Sequence, residues 1–487
     1  MTIDSSWIAS FKEEAPDAFT HHIPFRPRAA FCDGQIRLMR GSSDGLLTWD
    51  DYIWQQFYFP VSKFYKTHGV ETVILAFDDY SRVPEAKCMT QLKRRRHIVK
   101  IECLEREPLP PVCPCGARWE QSIANRTFKA KVIAQVIHVL PRLLKLEPHQ
   151  RLIIDYAGSP TQYTPNGQGG YDEVQLSHLC PLGEADIKFP RYAEIYRDLL
   201  VDSVDGDSIP IALVHHEATL RDLTAGSMSS ADLRDAPPRV CIYRITTKLA
   251  DEKAEVKLAK EAARSKPNAA EGETEATIAK LTRRTFEYVN IPLLYENLYT
   301  VCTQCLGRVR SGSHDGHMMR MLLALIGLTG TDFTRPMPQV SGKTVFAYLP
   351  DIYQSLMLAF DTSTAQLDLQ FAVNKLVAGI YTIKFSSHIK SPHPTLQCIL
   401  DTLHASKLSQ RTLTSLPSVA QVRCTVQNVN WVLNYWCDPT RAPSPTAVVG
   451  GAPVFGYVKQ KGLVTYADCA APASAQGAGR KRAAGAV

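Results

Sequence analysis

Two closely spaced pairs of carboxylates border apolar segments in the middle of this 487-residue chain. Glu184 and Asp186 precede a segment with helical periodicity, and Asp205 and Asp207 precede the apolar run at residues 209–214. Moving an ionised carboxylate out of water is costly unless a positive charge compensates it. Four such groups beside core-forming segments therefore predict a bound cation, and a divalent metal ion is the simplest candidate.

Three further aspartates each follow an apolar run. Asp33 follows AAFC, Asp78 follows TVILAF, and Asp332 follows LLALIGLTGT. TVILAF predicts a buried strand, because it is a short run of β-branched and large apolar residues. Since functional side chains in parallel α/β sheets gather at the carboxyl ends of strands, we expect the acids to meet at one edge of a sheet.

Seven acids of this kind suit a pair of hard metal ions. Two such ions about 4 Å apart activate a water and stabilise the leaving oxygen of a phosphodiester. Magnesium takes oxygen ligands, which carboxylates supply. The predicted catalytic and metal-binding residues are Asp33, Asp78, Glu184, Asp186, Asp205, Asp207 and Asp332.

The order of these acids resembles that of the structure-specific 5′ nucleases, the superfamily of flap endonucleases and Xrn-type 5′-to-3′ exoribonucleases. The order D, D, ExD, DxD, D and the 21 residues from Glu184 to Asp205 are similar to the family's acidic site. Four passages resemble Xrn segments in the same order: AFDDYSRVPEAKCMTQLKRRR, DGDSIPIALVHHE, FEYVNIPLLYENL and LIGLTGTDFTRPMPQV. The resemblance covers roughly residues 25–350, and its specificity lies in the ordered combination.

The resemblance implies an α/β fold: a PIN-like (5′ nuclease) domain with a central, mostly parallel sheet and a helical C-terminal extension. It implies metal-dependent hydrolysis of phosphodiester bonds in RNA or DNA with two Mg²⁺ or Mn²⁺ ions. The enzyme would be a 5′-to-3′ exonuclease, a structure-specific flap-type endonuclease, or both. Its partner would be a nucleic acid with a single-stranded 5′ end or flap.

The alternative is a non-catalytic nucleic-acid-binding or assembly protein on the same fold. The presence of all seven acids argues against it, because an abandoned metal site has no physical reason to keep so much mutual repulsion. Two departures from the family pattern leave details open. Asp186 stands where glutamate is more usual, and Asp79 follows Asp78 where glycine is common, so either Asp78 or Asp79 faces the metal.

A group of basic and amide residues follows Asp78. Their spacing of 0, 4, 7 and 8 positions places them on one face of a helix, where arginine forks match phosphate oxygens in pairs. A solvated basic face is the alternative, which the spacing alone favours. Together with the resemblance of this segment to Xrn sequences, the pattern predicts substrate phosphate binding by Lys87, Gln91, Arg94 and Arg95.

The thirteen cysteines are an odd number scattered along the chain, which favours free thiols in a reducing compartment. Two pairs, Cys113 with Cys115 and Cys302 with Cys305, could supply four thiolates to a structural zinc ion if the fold brings them together. Ordinary cysteines are the favoured alternative.

Composition and the resemblance together predict five regions: an irregular lead-in at 1–28, the nuclease domain that the resemblance implies at 29–217 and 286–350, a charged and partly flexible insertion at 218–285, a mainly helical region at 351–469, and a disordered basic tail at 470–487. The aromatic stripes at 50–68 and at Trp431, Tyr435 and Trp436 are expected to form core rather than to stack on bases.

Two further expectations concern the middle of the chain. Residues 119–145 predict one helix that ends near Pro141, from which Arg126, Lys129 and Lys131 would line a path for the substrate strand. Asp155 ends the apolar run LII and is a reserve ligand or a residue that supports the ligands.

Charge and hydropathy indicate where such a protein acts. The net charge of +7 is modest for a nucleic-acid-binding protein. No apolar run reaches the roughly 20 residues of a membrane span, and the first residues lack the apolar segment of a secretory signal. We expect an intracellular protein without a membrane partner, with nuclear and cytoplasmic locations both open.

Overall fold

The computed structural model of the protein describes residues 5–39, 48–78, 108–114, 116–158, 160–177, 179, 183–203, 205–224, 237–246, 285–306, 317–331, 334, 337–390, 394–406, 408–439, 442–449, 452–455, 457–460 and 463–466.

A mixed sheet of nine strands forms the centre of these described residues. The strands are β1 (Phe19–Thr20), β2 (Ala29–Asp33), β3 (Thr72–Ala76), β4 (Arg151–Asp155), β5 (Thr161–Pro165), β6 (Tyr171–Gln175), β7 (Asp198–Asp202), β8 (Arg239–Thr246) and β9 (Thr285–Asn290). Their order across the sheet is β1-β9-β8-β7-β2-β3-β4-β5-β6. The central strands β8, β7, β2, β3 and β4 run parallel to one another. The strands at both ends of the sheet pair antiparallel.

Helices connect the strands and continue beyond them. Before β9 they are α1 (Ser5–Glu14), α2 (Gly34–Met39), α3 (Trp49–Ile53), α4 (Phe59–His68), α5 (Gly116–Ile123), α6 (Arg126–Leu143), α7 (Ala185–Tyr196) and α8 (Ser208–Thr224). After β9 they are α9 (Ile291–Leu306), α10 (Met318–Thr329), α11 (Gly342–Ala347), α12 (Leu349–Ala359), α13 (Leu369–Phe371), α14 (Ala378–Lys384), α15 (Leu396–Ala405), α16 (Gln410–Ser415) and α17 (Val419–Cys437). Three short antiparallel strand pairs follow among the described residues: 360–361 with 366–367, 448–449 with 452–453, and 457–460 with 463–466.

The middle positions of the parallel strands are mostly apolar because both faces of the sheet are covered. Every residue of β3 is buried, which is typical of a parallel sheet with helices on both sides. Phe31, Ile74 and Ile153 lie in neighbouring strands and enter one core with α7 to α10, α12 and α17. Alternate residues such as Val73 and Leu152 enter a second core with α3 to α6. The predicted α/β architecture with a mostly parallel central sheet is confirmed.

The N-terminal segment is not the irregular lead-in that its sequence suggests. Trp7 and Phe11 on α1 are fully buried, and the Trp7 indole Nε1 donates a 2.7 Å hydrogen bond to Thr329 Oγ1. A Cβ atom at Gly342 would lie only 2.2 Å from the Trp7 ring. Because the partners of these aromatics are far along the chain, the segment's local sequence did not reveal its role in the core.

The predicted insertion at 218–285 includes part of the central fold. Helix α8 continues to Thr224, and β8 pairs in parallel with β7 inside the main sheet. In β8 the four consecutive residues at 240–243 are buried, but the polar composition of the flanking sequence hid this apolar run. Residues 225–236 and 247–284 lie outside the described residues.

The C-terminal region is mainly helical, as predicted, but its core is continuous with that of the sheet. One cluster of buried residues runs from Trp7 to Phe455, and α12 begins at Leu349, across the predicted boundary at 350. In the contact between α10 and α17, a Cβ atom at Gly327 would lie 3.1 Å from Val429. The predicted tail, 470–487, lies outside the described residues.

The predictions for residues 119–145 need correction in two respects: the number of helices and the position of Lys129. Residues 119–145 form two helices, because the Asn125 side chain accepts a hydrogen bond from the Phe128 amide at 3.0 Å and caps α6. Pro141 lies inside α6. Lys129 is 7% exposed, so it points into the protein rather than along an open path for a strand.

The aromatic stripe at 50–68 is only partly core. Tyr52, Phe57 and Phe64 are buried, whereas Trp54 and Phe59 are exposed. A π-helical turn, Trp54–Tyr58, joins α3 to α4, so Pro60 does not interrupt the helical path. Trp431, Tyr435 and Trp436 are all buried, which confirms the expectation of core there. None of the helices in the described part of the chain combines the length and apolar content that a bilayer span needs.

Candidate active site

Acidic residues stand at the carboxyl ends of the central parallel strands. Asp33, Asp155 and Asp202 end β2, β4 and β7, and Asp78 follows β3 by two residues. Strand register aligns these ends, because Ala76 of β3 pairs with both Asp33 and Asp155. Cys32 of β2 pairs with Asp202 in the same way. The acids therefore share one edge of the sheet.

Asp33 is held tightly against the end of β3. Its Oδ1 accepts hydrogen bonds from the backbone amides of Gln35 at 2.8 Å and Ile36 at 3.3 Å, in the first turn of α2. A Cβ atom at Gly34 would lie 2.6 Å from the Phe77 ring and 2.8 Å from the Ala76 carbonyl oxygen. Glycine at this position is what permits the close approach of α2 to β3.

Asp78 links the end of β3 to the beginning of α7. Its Oδ1 accepts a 2.9 Å hydrogen bond from the Ala185 amide, the first residue of that helix. Glu184 is the N-cap residue, and Asp186 lies in the first turn. Carboxylates are favourable here because the amino end of a helix carries partial positive charge.

Electrostatic coupling shows that these carboxylates are close together. Burial raises the pKa of Asp33 well above its ordinary value, and the negative charges of Asp78 and Asp186 raise it further. Glu184 is 1% exposed. The structure therefore brings four of the predicted ligands, Asp33, Asp78, Glu184 and Asp186, into one region.

Tyr435 of α17 borders the same region and was not identified from the sequence as a site residue. Burial raises the pKa of its phenol, and Glu184, Asp186 and Asp78 raise it further in that order. Its ring stacks on Trp431 with centroids 4.8 Å apart. The helical C-terminal region thus contributes a side chain to the acidic edge.

Asp155 has a different environment from the other acids. The buried Lys188 ammonium donates to its Oδ1 at 2.8 Å and to the Phe77 carbonyl oxygen at 2.9 Å. The Tyr192 hydroxyl donates to its Oδ2 at 2.9 Å. Both carboxylate oxygens are therefore engaged, which supports a positioning role rather than the reserve-ligand role. The helical spacing of Lys188 and Tyr192 was the available sequence signal.

A second ion pair, between an arginine and an aspartate, lies beside Asp33. Arg37 of α2 forms an ion pair with Asp202, and this partner raises the pKa of the guanidinium against the opposing effect of burial. Burial raises the pKa of the neighbouring Cys32 thiol, with Asp202 adding to the effect. The pair neutralises the β7 end of the acidic edge.

Asp205 and Asp207 lie in the turn between β7 and α8. The Asp205 Oδ1 accepts a 3.1 Å hydrogen bond from the Asp207 amide, and Asp207 is 1% exposed. On the adjacent β8, burial lowers the pKa of Arg244, while Glu287 and Asp205 act in the opposite direction. Asp205 therefore interacts electrostatically with the β8 side of this edge.

Several predicted site residues cannot be placed. Asp332, Asp79 and Cys115, together with the proposed phosphate-binding residues Lys87, Gln91, Arg94 and Arg95, lie outside the described residues.

Two cysteines of the possible zinc site lie in different cores. Cys113 lies in the core on one face of the sheet and Cys302 in the core on the other face. Burial raises the pKa of Cys302 to about 12, whereas zinc binds thiolates. Sequence spacing could not show on which face of the sheet each pair falls.

The acidic edge offers the oxygen ligands that a hard divalent cation takes. Asp33, Asp78, Glu184 and Asp186 offer only oxygen, which Mg²⁺ and Mn²⁺ prefer. Burial raises the pKa of Asp33, and the negative charges of Asp78 and Asp186 raise it further; a cation would relieve this repulsion. Among the described residues, no three His, Cys, Asp or Glu side chains already form a metal-binding group.

Comparison with known proteins adds no assignment: no protein-family model and no curated protein matches this chain.

Proposed function

We propose that this protein is a metal-dependent 5′ nuclease with a PIN-like domain, which hydrolyses phosphodiester bonds in RNA or DNA. The observation that carries the proposal is geometric: Asp33 and Asp78 stand at the carboxyl ends of neighbouring parallel strands, and Asp78 accepts a hydrogen bond from the first amide of the helix that carries Asp186. Their order along the chain resembles that of the 5′ nuclease superfamily, and the mostly parallel sheet is compatible with it.

The carboxylates would hold two Mg²⁺ or Mn²⁺ ions. Asp33, Asp78, Glu184 and Asp186 lie near one another and would supply ligands, directly or through water. Asp205, Asp207 and Asp332 complete the proposed set. When bound, such ions activate a water and stabilise the departing oxygen of the phosphodiester.

The protein's own groups would orient the ligands. The Ala185 amide fixes Asp78, and the amides of Gln35 and Ile36 fix Asp33. Lys188 ties the ends of β3 and β4 to α7 through its bonds to Phe77 and Asp155. These contacts limit the movement of the carboxylates, which favours catalysis because less reorganisation is needed when substrate binds.

Substrate phosphates would be held by the basic residues that follow Asp78. Lys87, Gln91, Arg94 and Arg95 would form a pocket for a 5′ monophosphate in the exonuclease form of the proposal. In the flap-endonuclease form, the cut would be set by a duplex junction, so the chemistry of the 5′ end would matter little.

One assay separates these forms. The purified protein is incubated with 5′-phosphorylated and 5′-hydroxyl single-stranded RNA, the same strands as DNA, and a flapped DNA, each with Mg²⁺ or with a chelator. An exonuclease with a phosphate pocket degrades the 5′-phosphorylated strand faster. A flap endonuclease cuts at the junction at equal rates for both ends.

A double variant tests the acidic site itself. Asp33→Asn with Asp186→Asn should abolish Mg²⁺-dependent cleavage while the protein stays folded, because the change removes two negative charges from a repelling group. The matched control is Asp361→Asn with Asp401→Asn, at two exposed positions, which should cleave normally. Full activity in the site variant would refute the proposal. Nucleic-acid binding without cleavage in the unsubstituted protein would instead support the non-catalytic alternative.

A further inference from the structure

We propose that an exposed surface of aromatic and basic residues binds single-stranded nucleic acid by base stacking and leads it toward the acidic edge. This inference rests on the proposed function for its substrate class. We call the surface the aromatic track. It consists of Trp54, Tyr58, Phe59, Lys63 and Phe286, and the buried Tyr243 packs behind the Phe286 ring.

The first part of the track lies on the helical path from α3 to α4. Trp54 is 49% exposed and Phe59 is 59% exposed. The Trp54 ring stacks on Tyr58 with centroids 5.9 Å apart, and it lies 6.2 Å from the Phe59 ring. The π-helical turn Trp54–Tyr58 widens the helix here, and these rings share one side while Tyr52 and Phe57 enter the core.

The second part lies on β8 and β9. Tyr243 and Phe286 stack nearly parallel, with centroids 5.2 Å apart and an angle of 10° between the rings. Phe286 is 40% exposed. The two side chains are diagonal neighbours across the antiparallel strand pair, since Tyr243 pairs with Tyr288 and Phe286 with Ile245. Because Tyr243 is 8% exposed, it supports the Phe286 ring from below, and Phe286 is the ring that this part of the sheet presents to solvent.

Lys63 joins the two parts. Its ammonium nitrogen lies 5.2 Å from the Phe286 ring centroid and 6.0 Å from that of Tyr243. Phe59 and Lys63 are four residues apart on α4 and therefore share a helix face. Lys66 is exposed one turn further along. The track thus combines aromatic rings with ammonium groups, the combination by which proteins bind single strands without sequence preference.

The track ends near the acids of the candidate active site. Tyr243 pairs in register with Asp202 on the adjacent strand β7. Strand β7 in turn pairs with β2, which ends at Asp33. One strand therefore separates the β8 end of the track from the strand that carries Asp33, which suits a substrate that stacks on the track and reaches the acidic edge.

The charge of the track favours a nucleic acid as its occupant. Two other kinds of occupant, an acidic one without bases and a neutral apolar one, fit it less well. Lys63 and Lys66 supply positive charge where a phosphate backbone would pass, and the whole chain carries +7. Asp50 and Asp51, in the first turn of α3, lie beside the Trp54 end of the track, away from Lys63. Unpaired bases can lie on exposed rings, whereas bases in a duplex are already stacked on one another, so the expected occupant is single-stranded.

The test is a binding measurement that does not require cleavage. Fluorescein-labelled oligo(U) and oligo(dT) are titrated with the full protein in the presence of a metal chelator, and affinity is read from fluorescence anisotropy. Trp54→Ala and Phe286→Ala should each weaken binding roughly tenfold, because one base stacked on one aromatic ring contributes on that order. Trp54→Tyr should retain most of the affinity.

Two controls separate the track from general effects. Phe371→Ala removes a phenylalanine that is 48% exposed but lies outside the track, and it should leave affinity unchanged. Lys63→Ala should lower the slope of log affinity against log salt by about one unit, because one phosphate contact is lost. A duplex of matched sequence should compete poorly with both labelled strands.

The outcomes distinguish this inference from the proposed nuclease function. Loss of binding in the track variants supports the track even if no variant or substrate shows cleavage, in which case only the nuclease function fails. Unchanged affinity in the Trp54→Ala, Phe286→Ala double variant would overturn the track even if the Asp33 and Asp186 variants abolish cleavage. A change of oligomeric state without a change in strand affinity would also overturn it, since the surface would then join copies of this chain.

Discussion

Asp155 and Asp33 end two strands of the same parallel sheet, yet their environments differ in how negative charge is compensated. Asp155 receives hydrogen bonds from the Lys188 ammonium at 2.8 Å and the Tyr192 hydroxyl at 2.9 Å. Asp33 accepts hydrogen bonds from two backbone amides, while Asp78 and Asp186 add negative charge nearby and raise its pKa.

The difference indicates two uses for the same residue type at the same edge. A carboxylate paired with a buried lysine is neutralised within the fold, so it ties elements together. A carboxylate surrounded by other carboxylates makes the folded protein less stable until a cation or a proton compensates it. The Asp155 region therefore has the properties of a structural ion pair, and the Asp33 region those expected of a cation site.

The largest expected effect comes from breaking the ion pair. Lys188→Met should destabilise the protein by about 3–5 kcal/mol, because it leaves the Asp155 charge buried without its partner. The free energy of unfolding is measured by denaturant titration. Lys66→Met, at an exposed lysine, is the control and should change stability little. The Lys188→Met, Asp155→Asn double variant should recover part of the loss; if Lys188→Met alone is as stable as the control, the ion pair has no structural role.

A smaller effect of opposite sign is expected at Asp33. Asp33→Asn should stabilise the metal-free protein at neutral pH by about 1 kcal/mol, because it removes one charge from a repelling group. Since the native pKa of Asp33 is raised, the native state binds more protons than the unfolded state between the ordinary and the raised pKa. Stability should therefore fall as pH rises through that interval, and the variant should show a shallower fall.

Thermal unfolding at a series of pH values, with a chelator present, measures this difference. The same series with added Mg²⁺ should raise the unfolding temperature of the unsubstituted protein more than that of Asp33→Asn. Identical pH profiles for the two proteins would contradict the repulsion that we infer around Asp33.

The last effect, similar in size to that at Asp33, is expected at Tyr435, which lies beside the acids. Tyr435→Phe and Tyr381→Phe each remove one buried hydroxyl and should each cost about 1 kcal/mol. The Tyr381 hydroxyl donates to the Pro338 carbonyl oxygen at 2.7 Å and serves as the control. Only Tyr435→Phe should raise the Mg²⁺ concentration needed for half of the maximal thermal stabilisation. Equal Mg²⁺ dependence in both variants would assign Tyr435 to packing alone.

Local sequence was sufficient for the buried strand β3 and for the edge at which the acids lie, although it did not reveal β8. TVILAF predicts a buried strand, and β3 is buried throughout. An acid after such a strand is expected at its carboxyl end, where Asp33 and Asp78 are found. These features are predictable because side-chain periodicity and burial within one strand depend on neighbours a few residues away.

Features that depend on contacts between distant parts of the chain were determined only by the tertiary structure. Trp7 contacts Thr329, 322 residues away, and Tyr435 reaches the acids from the last long helix. Cys113 and Cys302 fall on opposite faces of the sheet, although their spacing allowed a shared site. The exposure of Trp54 and the burial of Tyr52 likewise follow from where the helical path meets the sheet. Spacing along the chain specifies the face of an element, whereas the strand order determines which faces meet.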